Sequence, residues 1–161
     1  MNNEIFYKSI NELNKLYLDK EISVMEARDS FIKRIKEINS TYNAYLEIFD
    51  DESILDVKNA ENIIDNNSSK LAGVFIGLKD LVDVKDKVTS AGSMILSKNI
   101  AKKDSKITKD FKKNNSIILG KTNLVEFAFG TLGINSNTPT CRNPWNIESV
   151  PGGSSSGSAV A

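Results

Sequence analysis

The sequence contains no histidine. That excludes a Ser-His-Asp triad and a Cys-His pair, and it removes most zinc sites. Cysteine occurs once, at Cys141, so no internal disulfide can form. With no second Cys or His to join it, that thiol is also a poor metal ligand. Net charge is absent too: 21 basic and 21 acidic side chains cancel, and no overall field favours nucleic acid or an anionic membrane. No apolar run approaches membrane-spanning length, and Met1-Asn2-Asn3-Glu4 lacks the basic start of a secretory signal. A reduced, cytoplasmic setting fits these absences. Any serine chemistry here needs a base other than histidine, and a lysine held neutral by burial is the main candidate left.

What remains is organised as α/β. A length of 161 residues suits one domain with a real core. Ile5, Phe6, Ile10, Leu13 and Leu16 recur at helical spacing, with a break around Asp19 to Glu21. Ser23-Val24-Met25-Glu26 matches a capping box, and Val24, Ala27, Phe31, Ile35 and Ile38 form an apolar stripe behind it. Ala44 to Phe49 reads as a short strand. Ile54, Val57, Ala60 and Ile64 mark a further helix that ends in the polar cluster Asn66-Asn67-Ser68-Ser69. Val74-Phe75-Ile76-Gly77-Leu78 reads as a strand buried on both faces, with Lys79-Asp80 directly after it. A polar helix is expected from about Ser105 to Asn114, then a second buried strand at Ser116-Ile117-Ile118-Leu119 followed by Gly120-Lys121-Thr122-Asn123. Residues 131–149 read as an ordered functional loop, punctuated by Pro139 and Pro144. There are no internal repeats.

Three places carry chemistry. Gly152 to Ser158 holds four serines and three glycines in seven positions, which can present hydroxyls and N–H groups to a substrate; a flexible linker is the plainer reading. The run closes on Ala159-Val160-Ala161, which predicts the start of a buried helix and a parent protein that continues past it. Gly120-Lys121-Thr122 invites a phosphate-loop reading, but the glycine required five positions earlier is Asn115, so a lysine in a turn at a strand end is preferred. Lys79 ends an apolar strand, where its side chain can reach a cleft and burial lowers its pKa. The ordinary alternative for Lys79 is an ion pair with Asp80 or another carboxylate.

Taken together, Gly73-Val74-Phe75-Ile76-Gly77-Leu78-Lys79-Asp80, Ile118-Leu119-Gly120-Lys121-Thr122-Asn123-Leu124-Val125-Glu126-Phe127-Ala128, and Arg142-Asn143-Pro144-Trp145 followed by Val150 to Ala161 resemble, in that order, three blocks of the amidase signature family. The resemblance covers the chain from about Gly73 onward. It implies an α/β fold with a mixed sheet flanked by helices, truncated here. Residues 1–70 would be a mainly helical region and 71–161 the start of the catalytic core of a single amidase domain. It implies cleavage of carboxamides by a Ser-Ser-Lys triad without metal or cofactor. Lys79 matches the lysine base, and Ser154 matches the bridging serine, which sits on a cis peptide. Ser155 is a neighbour that helps position the loop or the substrate. The nucleophilic serine of the family lies further along, so none is named in this chain; Ser156 and Ser158 are not promoted to it, and the 161-residue chain alone is expected to be inactive.

The sequence departs from the family pattern in places. Phe75 stands where proline is usual, Asp86 near a usual glycine, and Asn114-Asn115 where a turn glycine is normal. Asparagine is the best substitute for a glycine at positive φ. The implied partner is a small amide, with no membrane, and the resemblance also allows a homodimer. The segment from Gly130 to Arg142 looks closer to the general amidases than to the A subunit of glutamyl-tRNA(Gln) amidotransferase. The latter alternative would bring partner subunits and tRNA. Two readings from other classes stand beside it. A non-catalytic pseudoenzyme or binding fragment would be soluble and unfold cooperatively. A nucleotide-binding domain using Lys121 would be stabilised by ATP.

Overall fold

The structure, a computed structural model, describes residues 3–65 and 69–161. Among the described residues the α-helices are α1 (Ile10–Leu18), α2 (Val24–Tyr42), α3 (Ser53–Asp65), α4 (Lys106–Lys113) and α5 (Ser156–Val160). A three-stranded sheet is built from β1 (Tyr45–Ile48), β2 (Phe75–Lys79) and β3 (Ile117–Thr122) in the order β1–β3–β2. β1 pairs antiparallel with β3, Tyr45 opposite Thr122 and Ile48 opposite Gly120. β2 runs parallel to β3, since Ile117 N–H donates to Val74 O and, further along both strands, Asp80 N–H donates to Thr122 O. The sheet is therefore mixed and the class α/β. The cluster Asn66-Asn67-Ser68 lies outside the described residues, as do Met1 and Asn2.

The chain forms two compact units. One gathers the described residues of Met1–Ile35, Phe49–Ile76 and Lys109–Leu119. Its core holds Leu13, Tyr17, Val24, Ala27, Ile32, Val57, Ala60 and Ile117. The expected capping box is present: Ser23 N–H and Oγ donate to the Glu26 carboxylate, and Glu26 N–H donates back to Ser23 Oγ. The apolar stripe behind it buries only its first members; Ile38 is exposed, while Arg28 goes under, donating from Nε to Ser53 Oγ and pairing with Asp29 and Asp50. The first helix is shorter than its apolar spacing predicts. A 3-10 turn at Asn3–Tyr7 precedes α1, because Ser9 and Glu12 close a second capping box that starts a new helix.

The other unit gathers Lys36–Ile48, Gly77–Thr108 and Gly120–Ala161. Its interior is unusually polar: Asp80, Thr89, Lys121, Thr122, Asn123, Asn135 and Ser156 are all buried beside Leu78, Leu124 and Val125. Two expectations for the strands need correction. β2 is half-buried rather than buried on both faces, because it lies at an edge of the sheet; central β3 is the strand buried throughout. β3 also does not stop at Leu119. It continues through Gly120, Lys121 and Thr122, where a turn was expected. Gly120 permits this because a Cβ there would lie 2.1 Å from Glu47 O across the ladder. The substituted turn positions do take positive φ, +58° at Asn115 and +65° at Asp86. Among the described residues no helix is long and apolar enough to cross a membrane.

Candidate active site

The second unit brings together Lys79, Ser154 and Ser155. Lys79 is the last residue of β2, so its side chain leaves the sheet at the carboxyl end of an edge strand. Its Nζ lies 2.8 Å from Ser154 Oγ and 2.8 Å from Ser155 Oγ, and donates to both. The Gly153–Ser154 peptide is cis. No carboxylate among the described residues lies within ion-pair distance of Lys79. Desolvation holds its amine below the usual lysine value. The pair with Asp80 that a strand-end lysine would ordinarily form is not made. Asp80 points the other way, and its Oδ1 lies 2.6 Å from Lys121 Nζ. Lys121 is thus neither in a turn nor available to a phosphate: it is almost fully buried and also donates to Val88 O and Thr89 Oγ1.

The serine loop is held from several sides. Val125 N–H donates to Ser154 O, and Gly157 N–H donates to Asn123 O. Close approach explains the glycines: a Cβ on Gly157 would lie 2.3 Å from both Ala44 O and Asn123 N, and one on Gly133 2.3 Å from Gly152 O. Thr122 Oγ1 and Ser158 Oγ share a hydrogen bond of 2.8 Å. Helix α5 starts earlier than expected, at Ser156 within the Gly/Ser run, and only Ser156 and Gly157 are buried in it. Ser156 hydrogen-bonds the Cys141 thiol, whose pKa burial pushes up; that thiol donates to Asn43 O at 3.1 Å. Ser156 and Ser158 therefore anchor the loop through Cys141 and Thr122, while the two serines before them meet the Lys79 amine.

The sequence pattern gave no warning of the residues that pin the long loop at 131–149. Asn123 Nδ2 donates to Asn43 O and Pro139 O, and Asn135 Nδ2 donates to Gly92 O and Leu124 O. Each buried amide satisfies backbone carbonyls that have no strand partner. A polar side chain that close to a strand end was the available signal, and only its tertiary partners give it meaning. Among the described residues no group of His, Cys, Asp and Glu is placed to hold a metal ion.

An amine with two hydroxyl partners and no counter-ion is suited to proton transfer. In its neutral form Nζ can accept a hydroxyl proton across the same 2.8 Å, which lies within the range general-base transfer requires.

The sequence model of the amidase family matches residues 26–161. The chain is 37% identical to an A subunit of glutamyl-tRNA(Gln) amidotransferase from Clostridium acetobutylicum over 160 residues, 98% of this chain and 33% of that protein. It is 39% identical to the corresponding Coxiella burnetii protein over 155 residues, covering 96% of this chain and 32% of the relative. Among solved structures it superposes on an amidase family protein from Bacillus anthracis with a TM-score of 0.87 at 30% identity. It superposes on the peptide amidase of Stenotrophomonas maltophilia at 0.86 and 26%, each match covering 96% of this chain and 33% of the other. The chain thus spans about a third of the length of the relatives it matches.

Proposed function

The chain belongs to the amidase family, and from that premise we propose that it forms the N-terminal part of an amidase domain in which Lys79 is the base and Ser154 the bridging serine. Residues 1–70 are its mainly helical region and 71–161 the start of its catalytic core. The observation that carries this reading is the 2.8 Å separation of Lys79 Nζ and Ser154 Oγ, with no carboxylate among the described residues competing for the amine.

The relay runs in one direction and then reverses. Neutral Lys79 takes the Ser154 hydroxyl proton while Ser154 takes the proton of a nucleophilic serine, whose oxygen bonds to the carboxamide carbon. Backbone N–H groups receive the charge on the carbonyl oxygen. Ser154 gives its hydroxyl proton to the leaving nitrogen and is reprotonated by Lys79, the C–N bond breaks, and an acyl-enzyme remains for water to hydrolyse. On this reading Ser155 holds the Lys79 amine in place, and the nucleophile lies outside the 161 residues.

The substrate follows from the relatives. Identity of 37% and 39% to amidotransferase A subunits over nearly the whole chain favours glutamine as the amide, with partner subunits, tRNA and a cytoplasmic setting implied. The general amidase reading rests on the segment from Gly130 to Arg142 and on the peptide amidase neighbour. One experiment tests the proposal. Alone, the 161 residues are expected to release no ammonia from glutamine or from a peptide amide. Joined to the C-terminal remainder of the Clostridium relative and shown to be folded by circular dichroism, they are expected to release it from glutamine. Turnover by the 161 residues alone would place a nucleophile inside them, and a folded but inert joined protein would remove the base and bridging roles.

A further inference from the structure

Lys79 and Asp80 are neighbours in the chain, yet they serve opposite sides of the sheet. Lys121 and Thr122 are consecutive residues of β3, so their side chains lie on opposite faces of the sheet. Lys79 faces Ser154 and Ser155, on the side where Thr122 meets Ser158. Asp80 faces Lys121, one residue before Thr122 on β3. The Asp80 carboxylate is almost fully buried and also accepts from Ser90 N–H and Ser90 Oγ–H. A buried negative charge one residue from Lys79 would hold a proton on the lysine amine unless something neutralised it. Lys121 Nζ does so at 2.6 Å, and Val88 O and Thr89 Oγ1 satisfy its remaining protons. The other carboxylate lining the same cavity of about 380 Å³, Glu47, is paired with Lys87 at 3.0 Å.

We propose that Lys121 is a positioning residue for Lys79: by binding Asp80 in a buried ion pair on the opposite side of the sheet, it neutralises the carboxylate nearest in sequence and leaves the Lys79 amine with hydroxyl partners only. This rests on Lys79 being the base. The role is electrostatic, and it distinguishes Lys121 from a lysine that merely fills space. The adjoining cavity can admit water, so a shorter side chain at 121 need not collapse the site.

The test measures the Lys79 amine itself, so its outcome is independent of whether any amide is cleaved. The reactivity of Lys79 toward trace acetic anhydride is followed against pH on the 161-residue protein, with the modified peptide read by mass spectrometry. Lys121→Met is expected to raise the midpoint by roughly one unit, about a tenfold loss of reactivity below it. Lys121→Arg keeps the charge and is expected to titrate as the parent does. Lys121→Met with Asp80→Asn removes both charges and is expected to restore the parent midpoint. A folded Lys121→Met protein with an unchanged midpoint overturns the proposal, as does a raised midpoint that persists in the double variant. Should Lys121→Met alone fail to fold, Asp80→Asn decides: it leaves the Lys121 cation without its carboxylate and is expected to lower the Lys79 midpoint, and an unchanged or raised midpoint overturns the proposal.

Discussion

Replacing Lys79 by alanine in the joined protein is expected to lower kcat/KM for amide hydrolysis by about 10⁴-fold or more, as removal of one member of a proton-relay triad does elsewhere. The reason is that these 161 residues supply no substitute. The chain has no histidine. Lys121 is committed to Asp80, Val88 and Thr89, on the wrong side of the sheet from Ser154. Ser154→Ala is expected to cost a similar factor, because Lys79 then has no hydroxyl through which to reach the nucleophile. Ser155→Ala removes only the second acceptor of the amine and is expected to cost far less. Lys79→Arg should not rescue, since a guanidinium stays protonated and cannot act as a base. The parent enzyme should gain rate with rising pH as the Lys79 amine loses its proton, and this limb should lie below the usual lysine range because burial lowers that pKa. Steady-state kinetics across pH measure all of these.

The second large effect is on stability. Lys121→Ala leaves the Asp80 carboxylate buried without its cation, and truncating one member of such a pair costs about 3–5 kcal/mol. Against a typical folding stability of roughly 5–15 kcal/mol, that is a large fraction. The protein supplies its own contrast. Lys87 and Glu47 form an ion pair at 3.0 Å but remain partly exposed, and Lys87→Ala is expected to cost less than about 1 kcal/mol. Urea denaturation of the two variants under one set of conditions checks the difference. Equal losses would mean that burial of the Lys121–Asp80 pair carries no special weight.

Much of this was legible in the sequence, for identifiable reasons. The capping box at Ser23 and Glu26, the aromatic strand at Tyr45 and the amphipathic helix at Ile54 to Ile64 are local patterns, and the fold realises each of them. Lys79 and the Gly/Ser loop are far apart in the chain; the resemblance to amidases, and no periodicity, pointed to their meeting. Three features differ from their sequence patterns. The capping box at Ser9 lies inside a continuous apolar repeat, so two elements look like one helix. The burial of β2 is less than its apolar run suggests, because such a run does not say whether its strand is central or at an edge. Lys121 looks like a turn residue because a lysine is rarely buried, and its partner Asp80 lies in the turn after β2, far away in the chain, so nothing local announces the pair. The polar interior built on Asn123 and Asn135 is hidden for the same reason: its hydrogen bonds run to backbone carbonyls distant in sequence.

The most direct measurement is where a serine-reactive fluorophosphonate attaches on the joined protein, mapped by peptide mass spectrometry. If Lys79 and Ser154 are base and bridge, the adduct forms on a serine contributed by the C-terminal remainder, and both Lys79→Ala and Ser154→Ala abolish it. An adduct on Ser154 or Ser155, or labelling that survives in both variants, would contradict the assignment.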